Sequence, residues 1–363
     1  MKRKLNIWEG NFIYTLFAII IGFVVGAILL AAAGIDPSIA YSSLYEGIFG
    51  NTKYIVYSMV YAAPYILTGL SVAFSFKTGV FNIGAEGQFV VGSLAAVLVG
   101  LFVDLPPVLH SIVCIICACA AGALWGAVVG LMKIKRGINE VLSYIMFNWI
   151  AYYLSNFIVT SAAVKDESLE ATKTVKDSAR TLMSDNMVML TGCPTVNWGF
   201  IIAVVAAIVL WFIISKTTLG YQLRAVGLSK TASEYGGISS SKIFMSSMAI
   251  SGMLAGLGGA VHTLGMTGRI SQFAGQESFG FDGITVALIA GSNPIGCIFS
   301  GLFYGAMKYG GNKLTLVNAP KEVVNIIMGT IIFFIAIALL FKRIMISVSE
   351  KKNNNTAKTA KED

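Results

Sequence analysis

The sequence predicts an all-α, polytopic membrane protein of about ten transmembrane helices, with a broken or re-entrant pair near residues 281–310 and both termini in the cytoplasm. Three observations carry that expectation. Of 363 residues, 56% are apolar and only 12% charged, about half the roughly 25% of an average soluble chain. The apolar residues fall into successive runs close to the roughly 20 residues a helix needs to cross about 30 Å of hydrocarbon. Within such a run every backbone N–H and C=O must be satisfied inside the segment, so helices are the default. Finally, 17 of the 26 Lys and Arg residues fall on one set of alternate connections, which the positive-inside tendency places in the cytoplasm. An ordinary soluble enzyme, a disordered chain and a nucleic-acid-binding protein are excluded together.

The elements follow in order. Residues 1–10, with Lys2, Arg3 and Lys4, read as a cytoplasmic N-terminus. The first span, 11–33, is too long for a signal peptide and lacks its small-residue cleavage site, so it is expected to be retained. Span 56–76 returns to Lys77; spans 85–103 and 109–132 follow, the latter ending on Lys133, Lys135 and Arg136. Span 141–160 leads to an external loop, 161–197. Its four basic residues weigh less, as charges in long loops do. Span 198–214 leads to a cytoplasmic segment, 215–242, and 243–264 crosses again. Runs 281–291 and 295–310, separated at Ser292-Asn293-Pro294, read as two helices, at least one short or re-entrant. Span 323–341 completes a single membrane domain, 11–345, and the polar tail 346–363 reads as disordered.

Chemistry-bearing motifs are sparse. Cys114, Cys117, Cys119 and Cys297 lie in spans and Cys193 stands alone in the outer loop, so no disulfide framework is expected. The CxxCxC spacing has no nearby His or carboxylate and reads as small packing residues rather than a metal site. His110 and His262, the two histidines, sit near span ends as polar interface residues. No G-x-x-x-x-G-K-[ST], H-E-x-x-H or G-x-S-x-G string occurs. ATP-driven work would therefore need a separate chain to hold the nucleotide and Mg²⁺, and no catalytic constellation is available.

The cytoplasmic segment is the most informative. Leu219, Leu223 and Val226 recur at helical spacing, with Arg224 and Lys230 on other faces, and Gly227, Gly236 and Gly237 mark junctions. Such a short amphipathic helix suits docking into a partner's groove; an interfacial helix lying on lipid headgroups explains it equally well.

Within the spans, ionisable groups are costly and each demands a reason. Glu86, with Asn82 and Gln88, lies in the glycine-rich stretch 79–92, and Asp282 follows Phe279-Gly280-Phe281. Both carboxylates stand beside expected helix starts, where they can cap free N–H groups. Alternatively, these Gly-interrupted stretches line a transport path, because irregular backbone at membrane depth must be buried in protein or border a cavity. Glu140 is expected to cap the helix it begins. Asn148 and Trp149 lie deeper and could contact a ligand, or Asn148 could simply join two helices. Trp8, Tyr54, Tyr57, Tyr61, Tyr152, Tyr153 and Trp198 read as an interfacial belt. The small-residue runs 118–130 and 252–259 should let helices approach closely.

Three ordered strings carry a resemblance: KTGVFNIGAEGQFVVGSLAA at 77–96, GYQLRAVG at 220–227 and FGFDGITVALIAGSNPIG at 279–296. Together they resemble ABC-importer permeases of the branched-chain amino-acid, ribose and nucleoside superfamily, most closely the bacterial nucleoside and simple-sugar branch, over about residues 10–345. The resemblance implies a multi-pass subunit of the bacterial cell membrane that forms the path for a nucleoside, or alternatively a simple sugar such as ribose. It implies three partners: an ATPase subunit binding ATP and Mg²⁺, a second and non-identical permease, and an external substrate-binding lipoprotein. No cofactor is expected on this chain. The coupling contact to the ATPase is expected at Gly220, Leu223, Arg224, Ala225, Gly227, Glu234, Gly236 and Gly237. The substrate path is expected at Asn82, Glu86, Gln88, Asn148, Trp149, Phe281 and Asp282. An ion-coupled carrier or channel working without an ATPase is the competing class. The inward Arg/Gly helix and the lack of paired buried charges count against it.

Overall fold

The computed structural model describes residues 11–335 and 337. The expected N-terminus 1–10, the end of the last span and the tail 346–363 lie outside the described residues. Fourteen α-helices are described, and the only extended pairing among the described residues consists of isolated bridges near 165–197 and Ser271. They are α1 (Asn11–Ala32), α2 (Pro37–Phe49), α3 (Thr52–Phe76), α4 (Ala85–Phe102), α5 (Leu109–Arg136), α6 (Glu140–Val159), α7 (Asp185–Thr191), α8 (Gly199–Lys216), α9 (Thr218–Leu228), α10 (Lys230–Tyr235), α11 (Ser240–His262), α12 (Phe279–Ile289), α13 (Pro294–Gly311) and α14 (Glu322–Ile335). Six of these are long and apolar enough to cross a membrane. The 13-residue α2, with Ile39, Tyr45 and Phe49 exposed, has no counterpart among the expected spans because it is too short to cross.

The described chain divides into two compact units, one formed by residues up to 43 together with those from 313 onward, the other by 44–312. In the first, Gly22 and Gly26 of α1 lie against Ile331 and Ile327 of α14; a Cβ on Gly26 would come within 2.6 Å of Ile327 Cγ1. Tyr41 Oη donates to the Phe23 carbonyl at 2.5 Å.

In the second unit, α5 and α11 cross at close range. Gly122 and Gly252 each stand against the other's carbonyl, Gly256 against that of Ala118, and Gly126 against that of Met248. Gly92 of α4 meets Gly256 on its other side. This is the close approach expected of the two small-residue runs, achieved because a side chain is missing at each crossing. Helix α3 is antiparallel to α13, with Gly301 beside Ile66 and Gly305 beside Ala62, and parallel to α12, with Gly283 beside Thr68.

The two ends of this unit differ. At one, Lys77, Lys133, Lys135 and Arg136 gather with α9 and α10. Lys133 binds Glu140 at 2.5 Å, while Asn139, not Glu140, caps α6 by accepting from Val141 N at 2.9 Å. Asn139 stands one residue earlier, in the extended conformation an N-cap needs. At the other end, segment 161–197 is ordered by backbone pairing with the strap that follows α11. Thr172 N donates to the Ile270 carbonyl at 2.8 Å, Val175 N to Gly268 at 2.9 Å and Gln272 N to Glu170 at 2.8 Å. Arg180 Nε donates to the Leu264 carbonyl at 3.1 Å, and Lys176 Nζ to Asp104 at 2.5 Å.

Candidate functional site

Helix α12 begins where it can be read as half a helix. Its first residue, Phe279, stacks on Tyr65 with ring centres 5.2 Å apart. Tyr65 lies 13 residues into the 25 of α3, about 20 Å from that helix's start at 1.5 Å per residue. The free N–H groups of α12 therefore open about half-way along α3. Glu86 binds there: its two carboxylate oxygens accept from Ser278 N and Gly280 N, each at 2.7 Å. Gly280 has room for no side chain there, since a Cβ would collide with the backbone of Ala85 and Glu86. Glu86 thus caps a helix 194 residues away rather than its own, whose N-cap is Gly84 with no side-chain bond.

Behind this junction lies a sealed polar cluster. Asn82 and Gln88 are fully buried. Asn82 Nδ2 donates to Gln88 Oε1 at 2.9 Å and to Ser251 Oγ at 2.5 Å, and Asn82 Oδ1 accepts from Gly84 N at 3.1 Å. Ser71 and Ser251 share a hydrogen bond of 2.9 Å, and Thr78 and Ser247 one of 2.7 Å. Asn148 accepts from Gly87 N at 2.9 Å and donates to the Ile83 carbonyl at 3.0 Å, so it pins the irregular 77–84 turn to α6. The network is satisfied within itself, which suits a framework at membrane depth.

Asp282 does not cap α12. Its carboxylate pairs with Lys308 of α13 at 3.0 Å, and the two side chains keep 18% and 24% exposure. Phe281 is half-buried beside it. The structure thus unites Asn82, Glu86, Gln88 and Asn148 in one framework and places Phe281 and Asp282 on the adjoining helix. Trp149 is brought to neither; it is 44% exposed on another face of α6, near Tyr152 and Tyr153. The sequence reading missed Lys308, 26 positions after its partner, together with Ser71, Ser251 and the ring cluster of Tyr65, Phe89, His262 and Phe279. No local spacing announces any of these pairings.

At the basic end, α9 and α10 form a helical hairpin. Thr217 caps α9 through Gly220 N at 3.2 Å and Ser229 caps α10 through Ala232 N at 3.3 Å. Gly220 sits against the Ile213 and Ile214 carbonyls, and Gly227 against that of Lys77. Leu223 and Val226 are buried on the spans, while Arg224 is exposed and Ala225 half-buried. Glu234 accepts a short hydrogen bond from Ser240 Oγ. Gly236 follows α10, and Gly237 holds φ at +80°, which a glycine adopts freely. Between the helices is a groove of about 460 Å³ lined by Tyr221, Gln222, Ala225, Leu228, Ser229 and Ala232. Leu228, which lines it, is 89% exposed, and Tyr235 at the end of α10 is 91% exposed.

Six long apolar helices, a short helix that begins half-way along α3 and an amphipathic hairpin at one end fit a multi-pass membrane protein, and its family places it in the class of transport subunits. The chain belongs to the family of permease components of the branched-chain amino acid transport system, whose pattern matches residues 54–336. It is 38% identical to the guanosine ABC transporter permease protein NupP of Bacillus subtilis, over 95% of this chain and 99% of that protein. It is 36% identical to the nucleoside ABC transporter permease protein NupB of Lactococcus lactis, over 90% and 91%. A second Bacillus subtilis protein, the guanosine permease NupQ, is 29% identical over 75% and 85%. No solved structure matches the chain significantly.

Proposed function

We propose that this chain is the permease subunit of an ATP-driven importer and forms the path by which nucleosides cross the cytoplasmic membrane of a bacterium. The observation that carries the reading is the end-to-end similarity to permeases named for guanosine and for nucleosides. Residues 11–345 form the membrane domain with about ten crossings and both termini in the cytoplasm; 161–197 lies outside, 215–242 inside, and 346–363 is a tail.

The α9–α10 hairpin is the contact for a separate ATPase subunit, which holds ATP and Mg²⁺; this chain binds no cofactor. An exposed apolar rim beside Arg224, seated through Gly220 and Gly227 on the helix ends, suits transmission of a push from that partner. Two guanosine permeases of one organism both resemble this chain, which supports a non-identical second permease. An external binding lipoprotein delivers the solute. Phe281 and Asp282 border the path, and Asn82, Glu86, Gln88 and Asn148 hold its frame.

The test is uptake of radiolabelled guanosine by vesicles containing the chain with its co-expressed ATPase, permease and binding protein. Uptake should require ATP and all subunits. Arg224→Glu and Gly227→Trp should abolish both uptake and recovery of the ATPase with the complex, while membrane insertion persists. Ion-gradient-driven uptake by this chain alone would overturn the reading.

A further inference from the structure

Tyr54, Tyr57, Tyr61 and Tyr65 recur at intervals of three and four along α3, so they share one helix face. That face meets α13. Tyr57 stacks on Tyr309 with centres 5.0 Å apart and planes at 14°, and Tyr61 lies 5.4 Å from the same ring. One helical turn further on, Tyr65 packs on Tyr304 at 4.8 Å and on Phe279 at 5.2 Å. The result is a ladder of rings running from the outer end of α3 to the mid-span start of α12, ending beside the Asp282–Lys308 pair.

A membrane-interface belt does not explain this ladder. Belt rings turn toward headgroups, whereas these turn toward each other between two helices. The outer rungs are not sealed as a core would be: Tyr57, Tyr61 and Tyr309 are half-buried, whereas the inner rungs Tyr65 and Tyr304 are buried. The ion pair at the ladder's inner end also keeps accessible edges, in contrast to the fully buried Asn82 and Gln88. A charged pair within a span is costly and marks function by default.

We propose that this ladder is the surface on which the base of the transported nucleoside stacks, and that the Asp282–Lys308 pair reads the base edge. The proposal rests on the nucleoside-importer reading and deepens it. Base–aromatic stacking tolerates any base because every base has a π-face, so the rungs select for a planar heteroaromatic and against a bare sugar. The Asp282 carboxylate accepts from ring or exocyclic N–H groups, and the Lys308 ammonium donates to a ring nitrogen or carbonyl oxygen.

The experiment uses the complete transporter in proteoliposomes and follows ATP-driven uptake of labelled guanosine. Tyr309→Phe should keep KM within about twofold of wild type. Tyr309→Leu and Tyr61→Leu should raise KM about tenfold, with complex yield unchanged. An unchanged KM in both leucine variants overturns the proposal, as does equal loss in Tyr309→Phe and Tyr309→Leu. Photolabelling of the wild-type complex with 8-azidoguanosine decides the matter should the leucine variants not assemble. Label on residues 54–65 or 304–309 supports the ladder, and label confined elsewhere overturns it. Absence of guanosine uptake by the wild-type complex refutes the importer reading instead, a separable outcome.

Discussion

The Glu86 carboxylate and the Gly280 amide, one at the start of α4 and the other in the first turn of α12, lie 2.7 Å apart. With Ser278 N on the other oxygen, one side chain satisfies two donors at the start of a helix that opens half-way along α3. Leaving each of these N–H groups unsatisfied costs about 1–3 kcal/mol. Glu86→Ala is therefore expected to lower the thermal midpoint of the detergent-purified complex markedly. Glu86→Gln, which keeps one acceptor, should fall between. Equal midpoints for the three proteins would show that the cap does not hold α12.

A second expectation concerns the α5–α11 crossing. Gly256 has neighbours on both sides, the Ala118 carbonyl and Gly92, so no shift of one helix relieves an added side chain. Overpacking costs typically about 1–3 kcal/mol and more where backbone must move. Gly256→Val should sharply reduce the yield of folded protein by size-exclusion chromatography. Gly275→Ala, where a Cβ meets nothing within 4 Å, should not.

Sidedness can be tested by labelling. Single cysteines replacing Lys230 on α10 and Lys173 in segment 161–197, in a cysteine-free background, should react with a membrane-impermeant maleimide from opposite sides. Position 230 is expected to label only from the cytoplasm and position 173 only from outside. Reactivity of both from one side would refute the proposed topology.

The fourth prediction is a pH dependence. The hydrogen bond from Lys176 and its positive charge hold the Asp104 carboxyl below the ordinary carboxylate range. A carboxyl depressed in the folded protein contributes above its unfolded pKa of about 3.9 and loses that contribution as pH falls through its folded value. Protection of 170–180 against hydrogen exchange, taken relative to the intrinsic rate at each pH, should thus hold from pH 8 to 5 and weaken only below about pH 4. Asp104→Asn should raise exchange at neutral pH. A rise beginning near pH 6.5 would assign the effect to another group.

Much of this was legible in the sequence because hydropathy and length alone define apolar helices, and because glycine runs mark close crossings wherever they occur. Gly122, Gly252 and Gly256 behave as their spacing predicts. The amphipathic hairpin, too, was legible from Leu223 and Val226 at helical spacing with glycines at its bends. What sequence could not show was pairing across distance. A carboxylate beside a helix start reads locally as that helix's cap, and for Glu86 and Asp282 the competition went to partners on other elements, the α12 amides and Lys308. Glu140 lost the cap of α6 to the better-placed Asn139. Likewise Tyr57 and Tyr61 near a span end carry no mark of whether lipid or Tyr309 receives them.

The cap on α12 also orders events during biosynthesis. The ribosome delivers Glu86 long before residues 278–280 exist, so the emerging N-terminal half carries a carboxylate whose two backbone donors among the described residues have yet to be translated. Until they arrive, that carboxylate lacks the partners it has in the folded protein, and a message cut short before codon 278 would leave it without them.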